Sequence, residues 1–576
     1  MSKIFYTFLA DHKIPYNTKT DILNIFIITV LWSMMAIIVN PIGDFPLNDD
    51  WVYASVVKSI LETGIFKFSA ESSANVGPQV YWGYLFCVPF GFSFTALRVS
   101  TLVIGLLGVI TLYLITRELG GKRHSSMLGA LVLVVNPLYF GLSNTFMTDV
   151  PFLALVIITF FFLVRWFKYH LLTDITFGLF FSFTAILVRQ FGIVVLIAFA
   201  IAYLIQNGYR IINLIKAFLP LLIGIFLHLA YQNWIVNTDR MPKLSIHRSI
   251  GELLPDTIDK FSQTMVDEGY NIAIYVGFFL APIVFYFFSC RPREIIGKWP
   301  KVIQVAFFIL LILFLGLSCN KERNMPSTIN VLIESGMGPL TLRDTFLLNI
   351  NNPNIPIEIS TFWVAATILS VIAASIVLYQ VVFMTFSTLN KFSDPISRTN
   401  TWPYYFFSVT SIAYCAIILL VASKVQLFDR YLLLFIPIYI LLNASEKNEE
   451  PPPSNNTRLV LSYILLLIYL VFSVAATHDY ISWNRIRWVA LHNLMEVDKI
   501  SPNHIDGGYE FNGSYTYDAR YQPRIENSYW WVRDDEYIVA FGSIPNYTVH
   551  REYPFQRWLP FSNSNILVLR RNLQTN

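Results

Sequence analysis

The run ILNIFIITVLWSMMAIIV, residues Ile22–Val39, carries no charged side chain, and PLNDDWVYASVVKSILETG, residues Pro46–Gly64, follows it with two adjacent acids, Asp49 and Asp50. A helix rising 1.5 Å per residue needs roughly 20 apolar residues to cross about 30 Å of hydrocarbon, so the first run reads as a membrane span. It follows about twenty mostly polar residues and lacks a small-residue cleavage site, which predicts a retained span rather than a signal peptide. The paired acids then fall at a membrane surface.

The same apolar pattern recurs to the end of the chain. With 576 residues, 55% hydrophobic, 14% charged and a mean hydropathy of +0.53, the composition is that of an integral membrane protein. The apolar blocks have helical rather than barrel-strand length and begin near residues 22, 95, 124, 148, 174, 191, 214, 270, 301, 361, 403, 427 and 458, predicting about 13 transmembrane helices. Basic residues gather in alternate short loops: Arg117, Lys122 and Arg123, then Arg165 and Lys168, then Arg291, Arg293, Lys298 and Lys301. The positive-inside rule makes those loops cytoplasmic and places loops 40–95, 236–269 and 319–360 outside. The reading divides the chain into a transmembrane domain, 1–476, and an extracytoplasmic domain, 477–576. In the latter, short runs such as YIVAF and NILVL between turn residues predict a small α/β fold. The segment EKNEEPPPSNNTR, 446–458, reads as a cytoplasmic connector. No nucleic-acid motif and no Walker sequence is present, which disfavours nucleic-acid binding and a nucleotide-powered pump.

Asn48 is placed to cap a helix whose first turn holds Asp49 and Asp50, where the helix dipole favours negative charge, and Gly64 is placed to end it. Val52, Val56 and Ile60, beside Tyr53, Val57 and Leu61, form an apolar flank, as in a helix lying on the outer membrane surface. Taken alone, the two acids need be no more than dipole partners. A second acid, Asp149 in SNTFMTDVPF, heads another span on the same predicted side. It too reads as an ordinary helix-start acid by itself, but two such acids at one face weaken that explanation.

The order of DDWVY, PQVYWGYLF, FTALRVSTL, NTFMTDVPF, LVRQFG and FDRYLLLFIP resembles the C-type (GT-C) membrane glycosyltransferases of the protein O-mannosyltransferase and lipid A aminoarabinose transferase kind. The resemblance is densest over the first 200 residues. It implies an α-helical polytopic fold in the inner (plasma) membrane, with the active site on the extracytoplasmic face. It further implies a polyprenyl-phosphate sugar as donor and a protein, lipid or glycan as acceptor. On this resemblance Asp49 is the general base, Asp50 orients the acceptor or shares that role, and Asp149 positions hydroxyls or supports Asp49.

Arg98, Arg189 and Arg430 lie near outer span ends, where a guanidinium is costly unless it snorkels or serves a function, and their forked geometry suits a donor phosphate. Tyr53, Tyr81 and Trp82 are candidates to face the donor; for Tyr81 and Trp82 an interfacial aromatic belt is the plainer explanation. One departure stands out: several relatives carry a lysine for the donor phosphate where this chain has Val76, so Arg189 or Lys67 would have to replace it. No cofactor is expected, and a divalent metal is left open. His478, Asp479, His504 and Asp506 lack recognised metal-ligand spacing. Asn512 and Asn546 head N-x-S/T sequons. The rival reading, a secondary transporter or lipid flippase, predicts inverted repeats and polar residues at the bilayer midplane, neither of which the sequence displays.

Overall fold

The computed structural model describes residues 18–242, 258–288, 296–297, 299–320, 323–327, 330–350, 357–391, 401–424, 426–445, 456–522 and 530–572. Expectations for Arg291, Arg293, Lys298, the connector 446–455 and the middle of loop 236–269 lie outside the described residues.

Ten described helices are long and apolar enough to cross a membrane, and they form the body of the protein. Three of the expected spans differ from that pattern. The block near 124 is two helices, Arg123–Val134 and Pro137–Ser143, bent by 59°. Pro137 cannot continue the hydrogen-bond ladder, and the Asn136 side chain restarts it by accepting from the N–H of Tyr139 at 3.0 Å. The block near 174 is the 17-residue helix Leu172–Val188. The block near 427 opens as a 3-10 turn, Asp429–Leu434, before the 11-residue helix Phe435–Ser445.

The helix Asp149–Tyr169 is the most enclosed of the spans, with 78% of its apolar window buried against 6% for Lys301–Ser318 at the periphery. Its close neighbour is Phe94–Glu118. At Gly108 a Cβ would stand 3.0 Å from the Ala154 side chain, so glycine lets the two backbones approach.

Strands β1 (Leu332–Ile333) and β2 (Gly336–Met337) form a short hairpin inside loop 319–360. The C-terminal region carries a four-stranded sheet in the order β3-β4-β6-β5: β3 (Ile505–Asp506), β4 (Tyr537–Ala540), β5 (Tyr547–Trp558) and β6 (Phe561–Arg571). β3 and β4 are parallel, and the other pairs are antiparallel. The expected small α/β unit is therefore present. Thr477 itself lies within the 37-residue helix Asn456–His492, which continues from the membrane bundle into the core beneath the sheet.

The first loop departs from expectation in two respects. Helix Asp50–Thr63 ends as predicted at Gly64, in left-handed conformation with φ 72° and its N–H on the carbonyl of Ile60. Asn48, however, does not cap it: Asp49 occupies the cap position without a side-chain cap bond, and Asn48 adopts φ 54°. The apolar flank also faces protein rather than lipid, because Val52, Tyr53, Val56 and Val57 are buried in the core.

Candidate active site

Asp50 is fully buried and bridges two loops. Its Oδ1 accepts the N–H of Phe146 at 2.9 Å, and its Oδ2 accepts the N–H of Leu47 at 3.3 Å. The turn leading to Asp149 is thereby fastened to the first loop, and Gln79 holds the same turn by donating to the Phe146 carbonyl at 2.7 Å. Burial pushes the Asp50 carboxyl up to about 8, with the Arg98 charge and the two N–H donors opposing the rise. This geometry makes Asp50 a strut between loops rather than a group open to an acceptor.

Asp149, 3% exposed, stands between two guanidinium groups. Its Oδ1 lies 2.9 Å from Arg189 Nη1 and 3.7 Å from Arg430 Nε. Neither Asp149 oxygen has an aligned hydrogen bond, nor does Arg430 Nε. Arg189 Nε donates to Thr148 Oγ1 at 2.7 Å, and its guanidinium lies over the Tyr431 ring. Arg430 donates from Nη1 to Asn330 Oδ1 at 2.8 Å and lies over the Phe428 ring. Its Nη2 is 3.8 Å from Asp49 Oδ2.

Asp49 is the more accessible acid, with a side chain 27% exposed, and its Oδ1 accepts from the Tyr509 hydroxyl at 2.9 Å. Tyr53 is buried within the same field. Burial raises its hydroxyl pKa, with the Asp49 and Asp149 charges adding to the rise and both arginines opposing it. Asp429, fully buried, accepts the N–H groups of Val331 at 3.2 Å and Leu332 at 2.7 Å. That contact pins part of loop 319–360 at the centre and brings Asn330 to Arg430.

Other predicted residues fall elsewhere. Arg98 is fully buried, and its Nη1 donates to the carbonyls of Pro41 and Gly43, each at 2.9 Å, while its Nη2 donates to Phe45. With three loop carbonyls as partners, this guanidinium shapes the first loop and its charge reaches Asp50, but it is paired with neither Asp49 nor Asp149. Trp82 donates to the Ser100 carbonyl at 2.9 Å. Tyr81 is 52% exposed beside Phe66, which also packs on Trp234, as in an interfacial aromatic cluster. Val76 is buried with its N–H on the Val188 carbonyl at 3.2 Å, so the position lacking lysine lies against the residue preceding Arg189. Lys67 is exposed.

His478 stacks on Trp558 and bonds to Asp479, whose oxygens also accept the N–H groups of Trp558 and Leu559. Asp506 instead accepts from Gly508 and Asn512. Asn512 is fully buried, so its sequon is inaccessible in the folded chain. His504 gathers with Asp534 and Glu536 at the surface, where Arg571 also pairs with Asp534. A cavity of about 520 Å³ lies away from the acids, between the β1–β2 hairpin, the long helix at Trp483 and the β5–β6 pair at Phe555 and Arg557.

The sequence reading missed Thr148, Asn330 and Tyr509. Thr148 had a signal, as the residue before a candidate acid. Asn330 lies 100 residues from Arg430 and Tyr509 lies 460 from Asp49, beyond any local pattern.

Residues 78–234 match the family described as dolichyl-phosphate-mannose-protein mannosyltransferase. The chain resembles this family of membrane glycosyltransferases. The matched segment includes Tyr81, Trp82, Arg98, Asp149 and Arg189 but neither Asp49 nor Arg430. Among solved structures, the oligosaccharyltransferase of Archaeoglobus fulgidus aligns at 10% identity and TM-score 0.42, covering 84% of this chain and 59% of its own. ArnT from Cupriavidus metallidurans, bound to undecaprenyl phosphate, aligns at 11% identity and TM-score 0.40, covering 97% of this chain and 99% of its own. A comparison with curated proteins finds no match.

Proposed function

We propose that the protein transfers a sugar from a polyprenyl-phosphate donor to a hydroxyl-bearing or similar nucleophilic acceptor at the extracytoplasmic face of the membrane. The observation that carries this reading is the centre itself. Two acids and two arginines from four separate segments converge at one end of the bundle, with the oxygens of Asp149 and the Nε of Arg430 lacking aligned partners. Buried polar atoms normally find partners, and a ligand is one way to supply them. The family match over 78–234 supports a lipid-phosphate sugar as donor. Sidedness is supported by the opposite bundle end, which carries Arg117, Arg165 and Lys168.

In this mechanism the acceptor oxygen attacks the anomeric carbon while Asp49 takes its proton. The bond from that carbon to the phosphate oxygen breaks, and its electron pair leaves with the lipid phosphate. Arg430 and Arg189 face the charge that grows there, the task for which preorganised cations are most effective. Asp149 holds the two guanidinium groups together. Asp49, the more exposed acid, is the one an acceptor can reach.

The test is turnover of a panel of polyprenyl-phosphate sugars by the purified protein, read as release of lipid phosphate. Asp49→Asn should lower the rate about 10²- to 10⁴-fold, the usual contribution of a positioned base. If the wild type turns over no donor, the enzyme reading fails. If Asp49→Asn equals the wild type, Asp49 is not the base.

A further inference from the structure

We propose that Tyr509 of the C-terminal sheet domain is a positioning residue for Asp49, so that this domain completes the active centre rather than merely standing beside it. The inference rests on the reading of Asp49 as the base. A carboxylate that is partly exposed turns freely about its side-chain torsions unless contacts on both sides hold it. Here the Tyr509 hydroxyl donates to Oδ1 at 2.9 Å, and Arg430 stands 3.8 Å from Oδ2. Tyr509 thus occupies one oxygen and leaves Oδ2, beside the phosphate-facing arginine, to receive the proton.

The domain is built to keep the hydroxyl there. Tyr509 opens the helix Tyr509–Thr516, and its ring packs against Trp51 of the first loop and against Trp530 and Trp531 of its own domain. Gly513, one turn further on, faces Trp51 so closely that a Cβ would come within 2.5 Å of the indole ring. The adjacent Glu510 is fully buried and accepts the Asn48 N–H at 2.9 Å, the Thr341 hydroxyl at 2.6 Å and Arg487 Nη1 at 2.8 Å. Asn48, Asp49 and Trp51 are therefore all held by the same short helix. Asn48, expected to cap the helix, instead adopts a left-handed backbone and gives its N–H to Glu510.

Tyr509→Phe removes the hydroxyl and keeps the ring in its aromatic setting. We expect donor turnover to fall about tenfold in kcat with KM for the donor within about twofold, since a tenfold change corresponds to about 1.4 kcal/mol and a hydrogen bond to a charged group lies in that range. Gly513→Ala, which drives the helix and Tyr509 with it off Trp51 while keeping the hydroxyl, should reproduce the same split. A wild-type kcat in Tyr509→Phe overturns the inference. A thermal double-mutant cycle, Tyr509→Phe with Asp49→Ala, tests the contact without any substrate. The double variant should melt no lower than the less stable single variant, and simple addition of the two shifts overturns the inference. A wild type without turnover would sink the glycosyltransferase reading, and the cycle would then still decide whether the two side chains are coupled.

Discussion

The two ends of the membrane bundle use the same residue types to opposite effect. At one end three basic side chains each have their own acid: Arg117 Nε on Asp21 at 3.1 Å, Arg165 Nε on Asp174 at 3.1 Å, and Lys168 Nζ on Glu118 at 2.6 Å. Every one of these pairs is also a hydrogen bond, and Glu118 gains another from the Tyr169 hydroxyl. At the other end, about 24 Å away along the helix Asp149–Tyr169 at 1.5 Å per residue, two arginines share two acids and no pair among them aligns as a hydrogen bond. A buried ion pair recovers its desolvation cost only when geometry and further hydrogen bonds are good. The first end meets that condition in its three hydrogen-bonded pairs, although Asp21 Oδ2 and Asp174 Oδ2 there also lack hydrogen-bond partners. The second differs in that neither Asp149 oxygen has an aligned hydrogen bond although two guanidinium groups flank it, which suits the proposed reception of a phosphate and a nucleophile.

The largest expected effect that would break this comparison is at Arg430. Arg430→Gln removes the cation that faces both Asp49 and Asp149, and donor turnover should fall about 10²- to 10³-fold, as when one charge-stabilising donor is lost. Near-normal turnover would mean that the open geometry serves no phosphate. At the closed end, the double change Arg165→Met with Asp174→Leu should leave turnover unchanged. Replacing a buried pair by apolar groups is commonly neutral or stabilising by about 1–4 kcal/mol, whereas Arg165→Met alone should cost about 3–5 kcal/mol by stranding Asp174. Thermal melts beside the turnover assay separate these outcomes. A double variant that folds normally but fails to turn over donor would show the closed end to be functional as well.

The contrast between Arg98 and Arg430 shows how far the sequence could reach. Both are arginines at the end of an apolar run, so both carried the same signal of an expensive charge with a purpose. Arg430 meets acids, but Arg98 meets the carbonyls of Pro41, Gly43 and Phe45. Those partners are backbone, identical at every residue, so no side-chain pattern announces them. The helical, polytopic fold was readable because span length is fixed by the bilayer. The short helices Leu172–Val188 and Phe435–Ser445 blurred the span count; the second is buried along most of its length, which relieves the length requirement, whereas the first keeps an exposed face at Leu172, Phe177 and Phe180. Asp49 and Asp149 could be placed on one side by counting spans. That Asp50 would turn inward to tie two loops while its neighbour stayed accessible could not be read, because the choice depends on the N–H groups of Leu47 and Phe146.

That division between adjacent acids gives a last expected effect, read in stability and its pH dependence rather than in turnover. Asp50 ordinarily titrates near 3.8, but burial pushes it up to about 8 in the folded chain. Between those values the folded protein holds a proton that the unfolded chain has released, so stability falls as pH rises. The contribution is fully present below about 4 and fully lost above about 8, with a slope no steeper than about 1.4 kcal/mol per pH unit. Asp50→Asn cannot titrate and should lack this slope. At pH 5 it should melt a few degrees below the wild type, because one amide oxygen cannot serve both N–H donors and its NH₂ group opposes one of them. As pH rises toward 9 the difference should narrow or reverse. A constant gap from pH 5 to pH 9 would mean that Asp50 is ionised throughout, held so by Arg98, and that the strut between the two acid-bearing loops is itself an ion pair.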